Sequence, residues 1–272
     1  MKASLENVTF RRVSSDTPKA RMVTFRSGDE RVTGFLAAPR DRGRHRAIIA
    51  VHEWWGLNAW VKEQATNLAA HAFVVLAVDL VRGEVTTDPS VARKFKRDLP
   101  HERAIRDLRA AFDYLVGRLE VDPEHIGSLG WSMGGGFALQ LAIHEPRLAA
   151  CVVNYGSLPT DDAGIQEIRA RVLGIFGSLD RGIPPGKVRA FETRMHDAKK
   201  SGEIRLYNGV GHAFENPANK RGYRPEAAAD PLFHTVAFFN RANESPASWR
   251  GDERVVPAVS AAVALGRRPN RL

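Results

Sequence analysis

From Arg46 onward the chain alternates between short apolar runs and longer segments whose apolar residues recur every three or four positions. The short runs are Ala47 to His52, Phe73 to Asp79, Ile126 to Trp131, Ala149 to Tyr155, Arg171 to Phe176 and Glu203 to Tyr207. They have strand length, and most are apolar throughout, as strands buried on both faces must be. Between them, Ile105, Leu108, Phe112, Leu115 and Leu119 fall on one face of a helix. The same spacing returns in Val188, Phe191, Met195 and Ala198, and in Leu232, Val236 and Phe239. Strands alternating with such helices predict an α/β fold, a mostly parallel central sheet with helices on both faces. Ahead of the alternation, Met22 to Phe25 and Arg31 to Leu36 flank the turn signal Ser27-Gly28-Asp29-Glu30. That signal predicts an antiparallel hairpin at the sheet edge.

Residues 1–242 are then one domain, of a size that a single core serves. After Ala242 the chain reads Asn-Glu-Ser-Pro-Ala-Ser, then an apolar segment from Val255 to Leu265 and a basic end. Residues 243–272 are therefore expected to be a linker plus a short apolar segment, a helix docked on the body or on a second copy. That segment is too short to span a bilayer, and Met1 to Arg12 lacks the apolar stretch of a signal peptide. A cytoplasmic protein, monomer or homodimer, with no membrane partner is the expectation. The single cysteine, Cys151, lies in the apolar run Ala149 to Val153 and reads as a small buried hydrophobe. A net charge of +9 raises the question of nucleic acid. The arginines, however, are spread along the chain and often stand beside acids, as in His101-Glu102-Arg103. Neither Arg93 to Arg97 nor the cluster Arg267, Arg268 and Arg271 comes with aromatic interleaving, so no nucleic-acid partner is expected.

The sharpest chemical signal is Gly130-Trp131-Ser132-Met133-Gly134, between the apolar strand ending near Trp131 and the helix-like segment Gly135 to His144. A strand that reverses into a helix this tightly strains the serine and leaves room for little beyond glycine two positions either side. The helix start turns free backbone N–H groups toward the serine, which makes the Met133 amide an oxyanion donor. A serine hydroxyl needs a base, and His212 follows the last strand candidate in Gly209-Val210-Gly211-His212-Ala213-Phe214. The imidazole in turn needs a carboxylate, and Asp180 stands just past the strand Arg171 to Phe176, in the chain order serine, acid, histidine. Asp79 also ends a strand but precedes the nucleophile, so a loop-capping role is expected of it. The residues thus predict a Ser132, His212, Asp180 triad and no zinc site. His52-Glu53 lacks the second histidine of a zinc-binding H-E-x-x-H helix.

The order and wording of five segments resemble the dienelactone hydrolase family of the α/β-hydrolase fold, over roughly Val23 to Arg241. They are His52-Glu53-Trp54-Trp55-Gly56-Leu57-Asn58, Asp79-Leu80-Val81-Arg82-Gly83, the glycine-flanked serine, Gly177 to Asp180, and Gly211-His212-Ala213-Phe214 with Asn216-Pro217. The resemblance implies cofactor-free cleavage of small carboxylic esters or lactones. It implies that Glu53 lies beside the nucleophile and that the Trp54 amide is the second oxyanion donor. Two departures bear on substrate. Ser132 stands where the family's namesake members carry cysteine, so it depends fully on His212 as base. Of the two arginines such members use to hold an acidic lactone, only Arg82 has a counterpart, and Glu215-Asn216 stands where the other is expected. Glu215 would repel an anion, which argues against dienelactone itself. Trp54, Trp55, Trp131 and Phe214 are expected to form an aromatic pocket wall suited to short acyl or aryl groups. Acyl transfer or peptide cleavage by the same triad, or a non-catalytic binding protein on the same fold, are the alternatives.

Overall fold

The computed structural model describes residues 17–241 and 254–256. In chain order the elements are β1 (Lys19–Ser27), β2 (Glu30–Ala38), β3 (His45–Val51), α1 (Ala59–Ala70), β4 (Val74–Val78), α2 (Pro89–Asp98), α3 (His101–Val116), β5 (Val121–Trp131) and α4 (Met133–His144). They continue with β6 (Ala150–Asn154), α5 (Asp162–Glu167), β7 (Arg171–Gly177), α6 (Pro185–Asp197), β8 (Gly202–Tyr207), α7 (Pro225–Ala228), α8 (Asp230–Asn240) and β9 (Arg254–Val256). The strands form one sheet in the order β1-β2-β4-β3-β5-β6-β7-β8-β9. The first hairpin is antiparallel and its second strand meets β4 antiparallel; every other pairing is parallel.

The expected two-sided burial holds for the central strands. All five residues of β4 and of β6 are buried. Helices α3, α4, α5 and α6 pack in succession along one face, and α1 and α8 cover the other, where Phe73 and Phe239 meet at 5.9 Å. The alternation of side chains along β5 sets what each face receives. Ser128 points to α4 and bonds the Ala138 carbonyl at 3.0 Å, whereas a Cβ on Gly127 would lie 2.4 Å from the Phe239 ring of α8.

The stripe over Ile105, Leu108, Phe112 and Leu115 is buried, but Leu119 is 88% exposed. Helix α3 stops at Val116 with Gly117 as its cap, so Leu119 lies in the turn before β5 rather than on the helical face. The linker and docked helix expected over 243–272 fall almost entirely outside the described residues. Within them, Arg254–Val256 extends the sheet as a strand parallel to β8, so the apolar segment begins as a strand. Cys151 is fully buried in β6, and burial pushes its thiol up to about 12. Among the described residues no helix is long and apolar enough to cross a membrane.

Candidate active site

Residue 132 occupies the sharp turn between β5 and α4 with φ 52° and ψ −113°, a left-handed conformation costly for any side chain but glycine. Close packing forces the turn. A Cβ on Gly130 would lie 2.1 Å from the Gly134 carbonyl oxygen, and one on Gly134 would lie 2.1 Å from that of Val51. The elbow is also tied to its neighbour strand, since Ser132 N donates to the Asn154 carbonyl at 2.9 Å. Helix α4 opens at Met133, so the Met133 amide belongs to the first turn, whose N–H groups have no partner within the helix.

The other two residues arrive from the loops after β7 and β8, stitched together by Leu179 N donating to the Val210 carbonyl at 2.9 Å. His212 Nε2 lies 2.8 Å from Ser132 Oγ, and His212 Nδ1 lies 2.7 Å from Asp180 Oδ2. Asp180 is buried, and its second oxygen accepts from the Gly182 and Ile183 amides at 2.8 and 3.0 Å. Burial pushes the Asp180 carboxyl up, but the hydrogen bonds from His212 and the two amides outweigh it and hold the group below its ordinary value. The acid is thus kept ionised and fixed. Tyr155 sets its ring edge-on to His212 at 5.3 Å, and Asn219 Nδ2 donates to the His212 carbonyl at 2.9 Å. Neither residue carries a sequence motif; only the folded loop shows that they hold the imidazole.

Around Ser132 opens a cavity of ≈ 1240 Å³ lined by Glu53, Trp54, Trp55, Met133, Asp180, His212 and Asn216 among others. Glu53 is buried and accepts a hydrogen bond from Asn216 Nδ2. Burial drives its carboxyl up to about 7, against the pull of that hydrogen bond and of the nearby His212 charge. His52, fully buried behind it, donates from Nδ1 to the Glu53 carbonyl at 2.6 Å and accepts at Nε2 from the Leu80 amide at 3.2 Å. Those two bonds fix one neutral tautomer, and burial lowers the pKa accordingly. Asp79 accepts from Val81 N, Gly83 N and Thr33 Oγ1, which is a loop-capping arrangement.

Four expectations about the pocket do not match the structure. Arg82 is not in the cavity. Its side chain pairs with Glu30 and buried Asp107 at 2.7 and 2.8 Å, on the far side of a loop in which Arg82 itself has φ 59°. Trp131 does not line the cavity either. It is registered with Asn154 and shares the odd-residue face of β5 with Gly127, so it points toward α1 and meets Trp60 at 5.1 Å. Phe214 is fully buried behind the histidine, between Tyr155 and Tyr207, and is core. Glu215 follows Trp131 rather than Ser132, with its Oε2 3.4 Å from Trp131 Nε1, so the carboxyl expected to repel an anion faces away from Ser132. Of the expected aromatic wall Trp54 and Trp55 remain, their rings crossing at 5.0 Å, and Tyr155 joins them in the lining. The positive groups at this cavity are instead Lys96, Arg181, Lys220 and Arg221. No cluster of His, Cys, Asp or Glu able to hold a metal ion occurs among the described residues.

A parallel sheet begun by an antiparallel edge hairpin, with a strained serine at the end of β5, is the architecture of the α/β hydrolases. Within that class, the model of the dienelactone hydrolase family matches residues 32–243, and the chain belongs to that family. It is a hydrolase. A relative from Bradyrhizobium sp. bearing the name "Probable 2-oxo-3-(5-oxofuran-2-ylidene)propanoate lactonase" is 31% identical over 78% of this chain and 90% of its own. Among solved structures, a dienelactone hydrolase-like promiscuous phosphotriesterase from metagenomic libraries superposes with a TM-score of 0.77 at 23% identity, covering 84% of this chain and 99% of its own. The dienelactone hydrolase of Anabaena variabilis gives a TM-score of 0.64 at 20% identity, covering 82% and 98%.

Proposed function

We propose that the protein cleaves small carboxylic esters and lactones by way of an acyl-enzyme. Ser132 Oγ attacks the carbonyl carbon while His212 Nε2 takes the hydroxyl proton. The carbonyl oxygen becomes an oxyanion held by the Met133 and Trp54 amides. Collapse breaks the bond to the leaving alkoxide, which receives the proton from His212; in a lactone that alkoxide stays attached to the acyl group. Water, deprotonated by His212, then attacks the acyl carbon and regenerates Ser132. Asp180 keeps the imidazole in the tautomer with Nδ1–H and stabilises it when charged. The observation that carries this reading is the continuous relay of 2.8 Å from Ser132 to His212 and 2.7 Å from His212 to Asp180. Glu53 is a positioning residue whose proton occupancy changes near neutrality.

Ser132→Ala and His212→Ala should each lower turnover of p-nitrophenyl acetate by about 10³-fold or more, and Asp180→Asn by about 10⁴-fold through the wrong tautomer. Retained turnover in the first two variants overturns the triad. Labelling of Ser132 by a fluorophosphonate separates a working hydrolase from a binding protein on this fold. Product analysis with added alcohols separates hydrolysis from acyl transfer.

A further inference from the structure

A second cavity of ≈ 340 Å³ lies on the opposite face of the sheet from α4, between α1 and α8. Its floor is set by strand register. Trp131 of β5 and Asn154 of β6 are paired in parallel strands, so their side chains emerge on the same face. Trp60 stands over Trp131 with the rings crossed at 63°. Glu215 and Glu63 supply two carboxyls to the lining, and among the described residues no Lys, Arg or His joins them, although the chain carries a net charge of +9.

The polar atoms here want donors. Asn154 is 1% exposed, and its amide Nδ2 donates one N–H to the Gly130 carbonyl at 3.2 Å. Its Oδ1 is buried with no hydrogen-bond partner, and so is Glu215 Oε1. Burial holds the Glu215 carboxyl up to about 8, so in the empty pocket it is largely protonated near neutrality and ionises when a cation enters. The unpartnered Asn154 Oδ1 and Glu215 Oε1, in a pocket free of protein cations and walled by two indoles, match one kind of ligand. Indole faces attract cations, and an ammonium brings both the charge and the N–H donors. The volume, at the low end for ligand pockets, restricts the body to a small apolar group against Leu68, Leu232 and Pro225.

We propose that this cavity is a second binding site, separate from the one around Ser132, for a small organic cation: a protonated amine on an apolar body. Its acceptor Asn154 also holds the nucleophile's turn from behind, through its side chain on Gly130 and its carbonyl on Ser132 N. Occupancy therefore reaches the active site through the backbone, not by competition for the Ser132 cavity.

Calorimetric titration of the whole chain with benzylammonium and with neutral benzyl alcohol tests this. The ammonium should bind at least about tenfold more tightly than the alcohol, reflecting about 1.4 kcal/mol for the charge. Glu215→Gln should erase that preference, and Ala228→Leu, which fills the cavity from α7, should weaken binding even if the Gln variant folds poorly. Ser132→Ala should bind as the parent does, so that the result stands whether or not the triad acts as proposed. Equal affinity for the two compounds, an unaltered preference in Glu215→Gln, purely competitive inhibition of ester cleavage, or no heat of binding up to about 10 mM overturns the second site.

Discussion

Glu53 is the residue whose protonation the fold alters where it matters. A free carboxyl of this kind ionises near 4.5, whereas this one, buried in the lining of the cavity that holds Ser132, is pushed up to about 7. Between those pH values the folded chain holds more protons here than the unfolded chain. The contribution of Glu53 to stability therefore falls as pH rises through this window and levels off above about 7. The full loss is on the order of 3 kcal/mol. Glu53→Gln keeps an acceptor for Asn216 but cannot ionise. Urea midpoints at about pH 5 and pH 7.5 should show the parent losing stability relative to this variant as pH rises; a constant difference would mean that Glu53 is ionised throughout. The serine, acid and histidine that the structure brings into one hydrogen-bonded line each follow an apolar strand in a fixed chain order, which is why the sequence singles them out. The errors were about direction. Trp131 sits one residue before Ser132 yet faces the other side of the sheet, and Arg82 ends in an ion pair with Glu30 and Asp107 formed by chain far away in sequence. Neither a strand's facing nor a remote partner is encoded in a local motif.

At the level of elements, the turn between β5 and α4 exists only while its glycines stay bare. Gly130→Ala or Gly134→Ala would set a methyl carbon 2.1 Å from backbone oxygen, where no rotamer change relieves the clash. Each should cost at least about 1–3 kcal/mol and take ester turnover with it, because the elbow must open to accept the methyl. Gly186, in the first turn of α6, has nothing within 4 Å of an added Cβ, so Gly186→Ala should instead stabilise by about 0.4–1 kcal/mol with turnover unaltered. Thermal melts of the three variants read both signs, and equal effects at all three positions would contradict the packing argument. Helix α1 shows why some elements were not apparent in the sequence. Its buried face is Val61, Ala65, Leu68 and Ala69, half of it alanine, so its apolar stripe is faint although it covers β2 and β4. The stripe on α3 was plain because Leu108, Phe112 and Leu115 are large and fully buried, and it ended one turn early only because Gly117 caps the helix before Leu119.

For the whole molecule, strand order decides what can meet. The chain steps from β3 outward to β4, then returns past β3 to β5, so the direction of winding reverses between β3 and β5. Loops at the carboxyl ends of those two strands diverge and leave a crevice, and it is there that Glu53, Trp54 and Ser132 face one cavity. The alternation of strands and helices revealed the layers but not this order, since the sequence does not state on which side of its predecessor a strand lies. Nor did it show which charges gather at the cavity. Lys96 comes from α2, Arg181 from the loop after Asp180, and Lys220 and Arg221 from the segment after His212; all four are exposed. The acids on the same lining are Glu53, half-protonated near neutrality, and Asp180, committed to His212. The surplus at the mouth is positive, and with Glu215 turned away no fixed repulsion opposes an anion. Exposed charges of this kind act mainly on encounter and are screened within a Debye length of about 8 Å at physiological salt. An ester carrying a free carboxylate should therefore exceed its neutral amide analogue in kcat/KM several-fold at low ionic strength, and the advantage should shrink toward unity by about 0.5 M salt. Lys220→Glu with Arg221→Glu should reverse the preference while leaving kcat for the neutral ester nearly constant. An anionic preference that survives both high salt and the double substitution would instead place the selective contact on a buried group inside the cavity.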